Sequence, residues 1–126
     1  MVPMALSLNT RTVRGVMIVE VTGRLNAGAA ADHFRNTLDS AVDAGNNKLV
    51  LDVSGVGYVD STGIEALVGI YQKANNASGG LRILKPDSRL RQLLNLTKLA
   101  DVLGVVEDET EAIDALAGRG DEASGV

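Results

Sequence analysis

The sequence has no cysteine, a single histidine (His33) and only three aromatic residues, Phe34, Tyr58 and Tyr71. The absence of cysteine excludes disulfide bonds, thiolate metal ligands and a cysteine nucleophile. One histidine excludes a zinc site built from several imidazoles, so no metal site is predicted. Three aromatic side chains leave little surface on which nucleic-acid bases could stack. The core is therefore expected to be aliphatic.

Basic residues are also few for a protein that binds nucleic acid. Sixteen Asp and Glu outnumber twelve Lys and Arg, and the net charge of −4 argues against contact with a phosphate backbone. No stretch approaches the roughly 18 apolar residues of a membrane span. The first residues show no basic stretch followed by an apolar run, so no signal peptide is expected. We therefore expect a cytoplasmic domain that binds neither nucleic acid nor a membrane.

The length and the order of predicted elements indicate one α/β domain. The 126 residues, 45% of them apolar, suit a single core. Strands are predicted at residues 5–13, 16–22, 48–53, 81–84 and 105–106, and helices lie between and after them, including 27–44 and 109–117. This alternation predicts a mostly parallel, four- to five-stranded mixed sheet with an antiparallel edge strand and about four helices. The domain is assigned to residues 1–118, and 119–126 is predicted to be a flexible tail.

The most informative segment is residues 51–67. An apolar strand ends at Val53, a loop with two glycines is predicted at 55–58, and D-S-T-G at 60–63 opens an amphipathic helix. Loops at the carboxyl ends of parallel strands are where α/β proteins place their sites. Thr62 and Glu65 match the capping-box pattern T-x-x-E. That pattern predicts Thr62 as the cap and leaves the Ser61 hydroxyl free, where a phosphate would lie beside a helix N-terminus. The alternative interpretation is an ordinary helix start.

Three short motifs resemble one known family. The motifs are D-V-S-G-V at residues 52–56, V-D-S-T-G-I at 59–64 and T-G-R-L-N at 22–26. Together with the element order, they resemble STAS domains, and in particular bacterial anti-sigma factor antagonists. The similarity covers about residues 5–117.

The resemblance implies a single STAS-like domain that works as a partner switch. Such a protein binds an anti-sigma factor that is also a serine kinase, and the kinase then phosphorylates the serine after the Asp, here Ser61. A PP2C-type phosphatase reverses the modification, and no cofactor or catalytic residue is implied. The partner-binding residues that the resemblance implies are Asn26, Asp60, Ser61, Thr62, Gly63 and Glu65.

Two residues depart from the family pattern. Asn26 stands where the family usually has Asp, and it keeps the hydrogen-bonding capacity without the charge. Glu65 stands where the antagonists usually have Gly, and it places a carboxylate near the predicted phosphate. Either change could alter phosphorylation or the choice of partner.

Three other interpretations were weighed against the switch. Asp52 at a strand end could be the phospho-acceptor of a receiver domain. The first strands, however, lack the acidic pair that holds Mg²⁺ in such domains. Asp52 is therefore interpreted as a hydrogen-bond acceptor that braces the loop. The chain could instead be a non-switching STAS scaffold in a larger sensing complex. A small-ligand sensor would need a pocket near Asn26 and Asp60. His33 is interpreted as a solvated or capping residue.

Charge is distributed unevenly along the chain. Basic residues cluster at Arg82, Lys85, Arg89, Arg91 and Lys98, and acidic residues predominate from Asp101 onward. Two solvated faces would explain this pattern, and so would an oriented contact with a protein partner.

Overall fold

The computed structural model describes the backbone of residues 5–124 and the side chains of residues 5–117. Five strands and five helices follow one another along this part of the chain: β1 (Ser7–Val13), β2 (Val16–Leu25), α1 (Ala29–Asp43), β3 (Lys48–Val59), α2 (Ser61–Asn76), β4 (Gly80–Leu84), α3 (Ser88–Leu96), α4 (Ala100–Leu103), β5 (Val105–Val106) and α5 (Glu109–Ser124).

The strands form one sheet in the order β1-β2-β3-β4-β5. The edge strand β1 is antiparallel to β2, and the other neighbours are parallel. The predicted mixed sheet with one antiparallel edge strand is therefore confirmed. Arg14 and Gly15 both have positive φ, 54° and 79°, which matches the right-handed twist of a two-residue hairpin turn.

The sheet is covered on both faces, as predicted for the strand that begins at Lys48. Leu49 and Leu51 join the main core with α1, α2 and α3. Val50 lies on the opposite face and belongs to a smaller cluster with Ile113 and Leu116 of α5. Every core member except Phe34 is aliphatic, so the expectation of an aliphatic core is confirmed.

Strands β2 and β3 are longer than predicted. The predicted loop at 55–58 is part of β3, and β2 continues past Thr22 to Leu25. The two extensions pair with each other, with Thr22 opposite Gly55 and Leu25 opposite Val59. A Cβ on Gly55 would lie 2.5 Å from Cγ2 of Thr22, so this glycine permits a close approach inside the sheet and does not mark a turn.

The C-terminal part also differs from the prediction. The short helix α4 was not predicted as a separate element, and α5 continues to Ser124, past the predicted end at 117. Residues 125–126 lie outside the described part, and the flexible tail at 119–126 stays a prediction. None of the helices in the described residues is long and apolar enough to cross a membrane.

Candidate functional site

The sheet brings two distant segments to one edge. Because β2 and β3 are parallel neighbours, their carboxyl ends lie side by side, with Leu25 opposite Val59. The backbone N–H of Asp60 donates to the carbonyl of Leu25 at 3.4 Å. Asn26, which follows β2, and Ser61, which begins α2, therefore belong to the same end of the molecule.

Asp60 joins these two segments through its carboxylate. Oδ1 accepts from the backbone N–H of Gly63 at 2.9 Å, and Oδ2 accepts from the backbone N–H of Ala27 at 3.0 Å. These bonds, that to Gly63 first, lower the pKa of Asp60 below its ordinary value, because a hydrogen bond to the ionised form favours that form. Asp60 is therefore an ionised bridge between the α2 N-terminus and the segment after β2.

This geometry shows that the capping-box prediction was wrong. The cap of α2 is Asp60, which has an extended backbone (φ −102°, ψ −174°), and Ser61 is the first helical residue. Asp is as good a cap as Ser and better than Thr, and here its carboxylate also reaches Ala27. Asp60 before the helix was the sequence signal for this arrangement, since the side chain of an Asp cap accepts from the backbone N–H two or three positions later.

The Ser61 hydroxyl does not cap the helix, as predicted, but the cap is Asp60 and not Thr62. Its side chain is exposed, and no hydrogen bond to its hydroxyl is seen within residues 5–117. Ser61 and Glu65 share the wall of an open cavity of about 550 Å³ that Tyr58, Ile64 and Leu93 also line. A group added to Ser61 would therefore enter open space beside two carboxylates, those of Asp60 and Glu65.

The other predicted contact residues of α2 are less accessible. Thr62 is half-buried and Gly63 is buried. A Cβ on Gly63 would lie 2.2 Å from the carbonyl oxygen of Leu25 and 2.9 Å from Cγ1 of Val59. Gly63 thus allows the first turn of α2 to touch the end of β2.

Asn26 lies between β2 and α1 and lines a different cavity. Its carbonyl accepts from the backbone N–H of Ala31 at 3.0 Å. Its cavity, about 430 Å³, is also lined by Arg24 and His33. Within the side chains that the structure describes, Asn26 and Asp60 line two different cavities, and neither of these two is the shared pocket that a small-ligand sensor would need.

Three further side chains have defined partners near this end of the sheet. The guanidinium carbon of Arg24 lies 4.6 Å from the ring centroid of Tyr58, a cation–π contact that sequence reasoning missed because it depends on the register of β2 and β3. His33 is exposed on α1, with Nδ1 3.4 Å from Oγ1 of Thr37. Asp52 accepts from the N–H and the hydroxyl of Ser54 at 3.1 and 2.8 Å, so it is a hydrogen-bond acceptor as predicted, but the segment it contacts is part of β3 and not a loop.

Comparison with known proteins identifies a family for this chain. The family model for the STAS domain matches residues 7–112. The chain is 25% identical to an anti-sigma F factor antagonist of Paenibacillus polymyxa over 90% of this chain and 97% of that protein.

Solved structures show the same fold. The crystal structure of an anti-sigma factor antagonist from Mycobacterium paratuberculosis has a TM-score of 0.80 at 22% identity, covering 91% of this chain and 97% of that one. The Bacillus cell fate determinant SpoIIAA in its phosphorylated form has a TM-score of 0.69 at 20% identity, covering 88% and 98%.

Proposed function

The chain belongs to the STAS domain family, and on that premise we propose that it is an anti-sigma factor antagonist. It binds an anti-sigma factor that is also a serine kinase, and phosphorylation of Ser61 switches it off. The observation that carries the proposal is the exposed Ser61 at the first residue of α2, next to an ionised Asp60 that is bonded to Ala27. The function is one of binding in the cytoplasm, with a PP2C-type phosphatase to restore the free hydroxyl.

The surface around Ser61 supports binding of a protein. Asn26, Asp60, Ser61 and Glu65 come from two segments that the sheet holds together, so a partner that contacts one segment meets the other. Asp60 joins them through its carboxylate, which accepts from the backbone N–H of Ala27, and through its own backbone N–H, which donates to the carbonyl of Leu25. The buried Gly63 contributes by allowing this close approach, and its predicted role in partner binding is indirect.

The same geometry supports charge as the means of switching off. A phosphate adds roughly −1.5 to −2 charge. A helix N-terminus can stabilise an anion, but here the Asp60 carboxylate already accepts from the Gly63 amide. A phosphate on Ser61 would therefore be poorly neutralised, and with Asp60 and Glu65 it would form a strongly acidic surface. Such a surface repels a partner that had bound the unmodified one.

The test is phosphate mapping after incubation with ATP and the purified anti-sigma kinase of the same organism. We expect phosphate on Ser61 and none on Ser88. Ser88 is a matched control, because it is also exposed, also the first residue of a helix and also follows an Asp cap, Asp87. Phosphate on Thr62 or Ser54 would contradict the assignment.

Binding of the same kinase separates the switch from the scaffold. Ser61→Ala should bind as the unmodified chain does, and Ser61→Asp should bind more weakly, measured by calorimetry. Tight binding of both variants, together with no phosphate on Ser61, would favour a non-switching scaffold.

A further inference from the structure

The outer edge of β1 is free within the residues that the structure describes. β1 (Ser7–Val13) is the first strand of the sheet and pairs on one side only, with β2. Thr10 and Thr12 are exposed, and none of the described backbone hydrogen bonds outside the helices and the sheet involves this strand. A free edge of this kind can pair with another strand.

The register of the hairpin determines which backbone groups of β1 point outward. Val13 and Val16 close the two-residue turn, and such a pair exchanges both of its backbone hydrogen bonds. Bonded and non-bonded pairs alternate along an antiparallel ladder. The N–H and C=O groups of Leu8, Thr10 and Thr12 therefore point away from β2, toward the free edge.

This edge lacks the features that commonly protect a free strand, which are proline, bulges and charged side chains. Residues 7–13 contain no proline, and their pairing with β2 runs without a bulge. The only charged residue of the strand, Arg11, forms an ion pair with Glu109 of α5, and Arg14 in the turn forms one with Asp114. Both guanidinium groups are therefore drawn onto the face that α5 covers, and the outward-pointing residues are uncharged.

The outward-pointing residues are complementary to themselves in one register. When two copies pair antiparallel about Thr10, Thr10 faces its own equivalent and Leu8 faces Thr12 of the second copy. This register pairs the outward N–H and C=O groups of all three residues, whereas a shift along the strand would leave some of them unpaired. Threonines that face each other are a favourable cross-strand pair.

Charge on the α5 side of the sheet favours the same register. Asn9 lies opposite Glu20, and Glu20 lies opposite Asp52, so these three side chains form one row, which lines an open cavity of about 260 Å³. Pairing about Thr10 places Arg11 of the second copy opposite Asn9, where it extends the row beside Glu20. The two Arg11 side chains are diagonal neighbours across the axis, and each is already paired with its own Glu109. A basic side chain of each copy thus meets the acidic row of the other.

We propose that two copies of this chain pair through β1 into one continuous sheet, with a twofold axis at Thr10. The pairing does not depend on the proposed function. The axis makes the strands of the second copy antiparallel to those of the first, so the two Ser61 residues, which follow the carboxyl ends of the β3 strands, lie at opposite ends of the dimer. Because β2 separates β3 from the paired edge, both partner-binding surfaces stay open.

Sedimentation equilibrium of the unmodified chain tests the proposal. A strand edge is smaller than a standard interface, so we expect a concentration-dependent dimer with a dissociation constant below about 1 mM. Thr10→Pro removes the outward N–H at the axis but no bond to β2, and proline is tolerated in an edge strand where its nitrogen faces solvent. Thr10→Lys places two like charges opposite each other at the axis. Each variant should weaken the dimer by about tenfold or more and should remain folded by circular dichroism.

Two matched controls separate the edge from the rest of the surface. Asn36→Lys adds the same charge as Thr10→Lys on the exposed surface of α1 and should leave the dimer unchanged. Arg11→Gln and Arg14→Gln each remove one ion pair with α5, but only Arg11 lies within the paired strand. Arg11→Gln should weaken the dimer, and Arg14→Gln should not.

The possible results distinguish edge pairing from the proposed function. A chain that stays monomeric at about 1 mM overturns the edge pairing, as does a dimer that both Thr10 variants leave intact. If the chain is monomeric and Thr10→Pro loses binding of the anti-sigma kinase, the edge belongs to that partner and the proposal is overturned. Phosphate on Ser61 of Thr10→Lys, at the rate of the unmodified chain, is expected whether or not the dimer forms, so the proposed function stands or falls separately.

Discussion

Replacing Gly63 with alanine should destabilise the protein, although alanine is the better helix former. Gly63 lies in the first turn of α2, where an added Cβ would lie 2.2 Å from the carbonyl oxygen of Leu25. That atom belongs to the backbone of β2, which is hydrogen-bonded to its neighbours and cannot rotate away as a side chain could. The new methyl group must therefore push the start of α2 away from the sheet.

The size of the effect is the difference between two opposing contributions. Forcing an extra methyl group into a packed site costs about 1–3 kcal/mol. Exchanging Gly for Ala in a helix gains up to about 1 kcal/mol. Because the clash is with a backbone atom, the cost should lie in the upper half of that range, and the net loss is about 1–2 kcal/mol. This loss corresponds to a fall in Tm of roughly 3–10 °C for a domain of this size.

Gly69→Ala is the matched control, because it makes the same exchange in the same helix. A Cβ on Gly69 would meet no atom within 4 Å, so only the propensity gain of about 0.5–1 kcal/mol remains. Urea unfolding of both variants should give changes of opposite sign. The close approach of α2 to β2 would be refuted if Gly63→Ala were stabilised as much as Gly69→Ala.

Two further predictions concern the carboxylates beside Ser61. The pKa of Asp60 is lowered from 3.8, so its ionised form stabilises the fold fully above pH 3.8, and this contribution is lost as the pH falls through the lowered pKa. Asp60→Asn should therefore have a lower free energy of unfolding than the unmodified chain at pH 7, and this difference should shrink well below pH 3.8. Urea unfolding that shows an equal difference at both pH values would contradict this prediction. Glu65→Gln should change the free energy of unfolding by less than about 0.5 kcal/mol, because Glu65 is exposed and the predicted capping box is absent. The same variant should speed the initial rate of Ser61 phosphorylation, because it removes a negative charge beside the acceptor, and an unchanged rate would leave Glu65 without a role in the switch.

The caps of α3 and α2 show what local sequence patterns can and cannot predict. Asp87 directly precedes α3 and is of a residue type that favours helix caps, and its carboxylate accepts from the backbone N–H of Leu90 at 2.8 Å. No capping-box pattern competes with it, because the residue three positions after Ser88 is Arg91. At α2, by contrast, Asp60 and Thr62 both fit known capping patterns two residues apart. The bond from Ala27 to Asp60, across 33 positions of the chain, is invisible to any local pattern.

The glycines of β3 also show what a local pattern cannot predict, namely whether a segment pairs with a distant strand. Gly55 and Gly57 follow an apolar run, and glycine at such a position is typical of a turn. The extension of β2 to Leu25 provides a neighbour for this segment, so Gly55, Val56, Tyr58 and Val59 pair in the sheet, and Gly57 lies at an irregularity in the register. Glycine is needed there because Thr22 packs directly against Gly55.

Periodicity and turn residues are local signals, and from them the sequence predicted the mostly parallel sheet with its antiparallel edge strand, the aliphatic core and the order of strands and helices apart from the short helix α4. It also indicated residues 51–67, which contain Ser61, as the segment in which to look for a site. The tertiary structure alone decided which residue caps α2, how far β2 and β3 extend and how Asn26 and Ser61 come to the same edge. Those outcomes depend on hydrogen bonds and close contacts between residues far apart in the chain, and such contacts exist only once the sheet has formed.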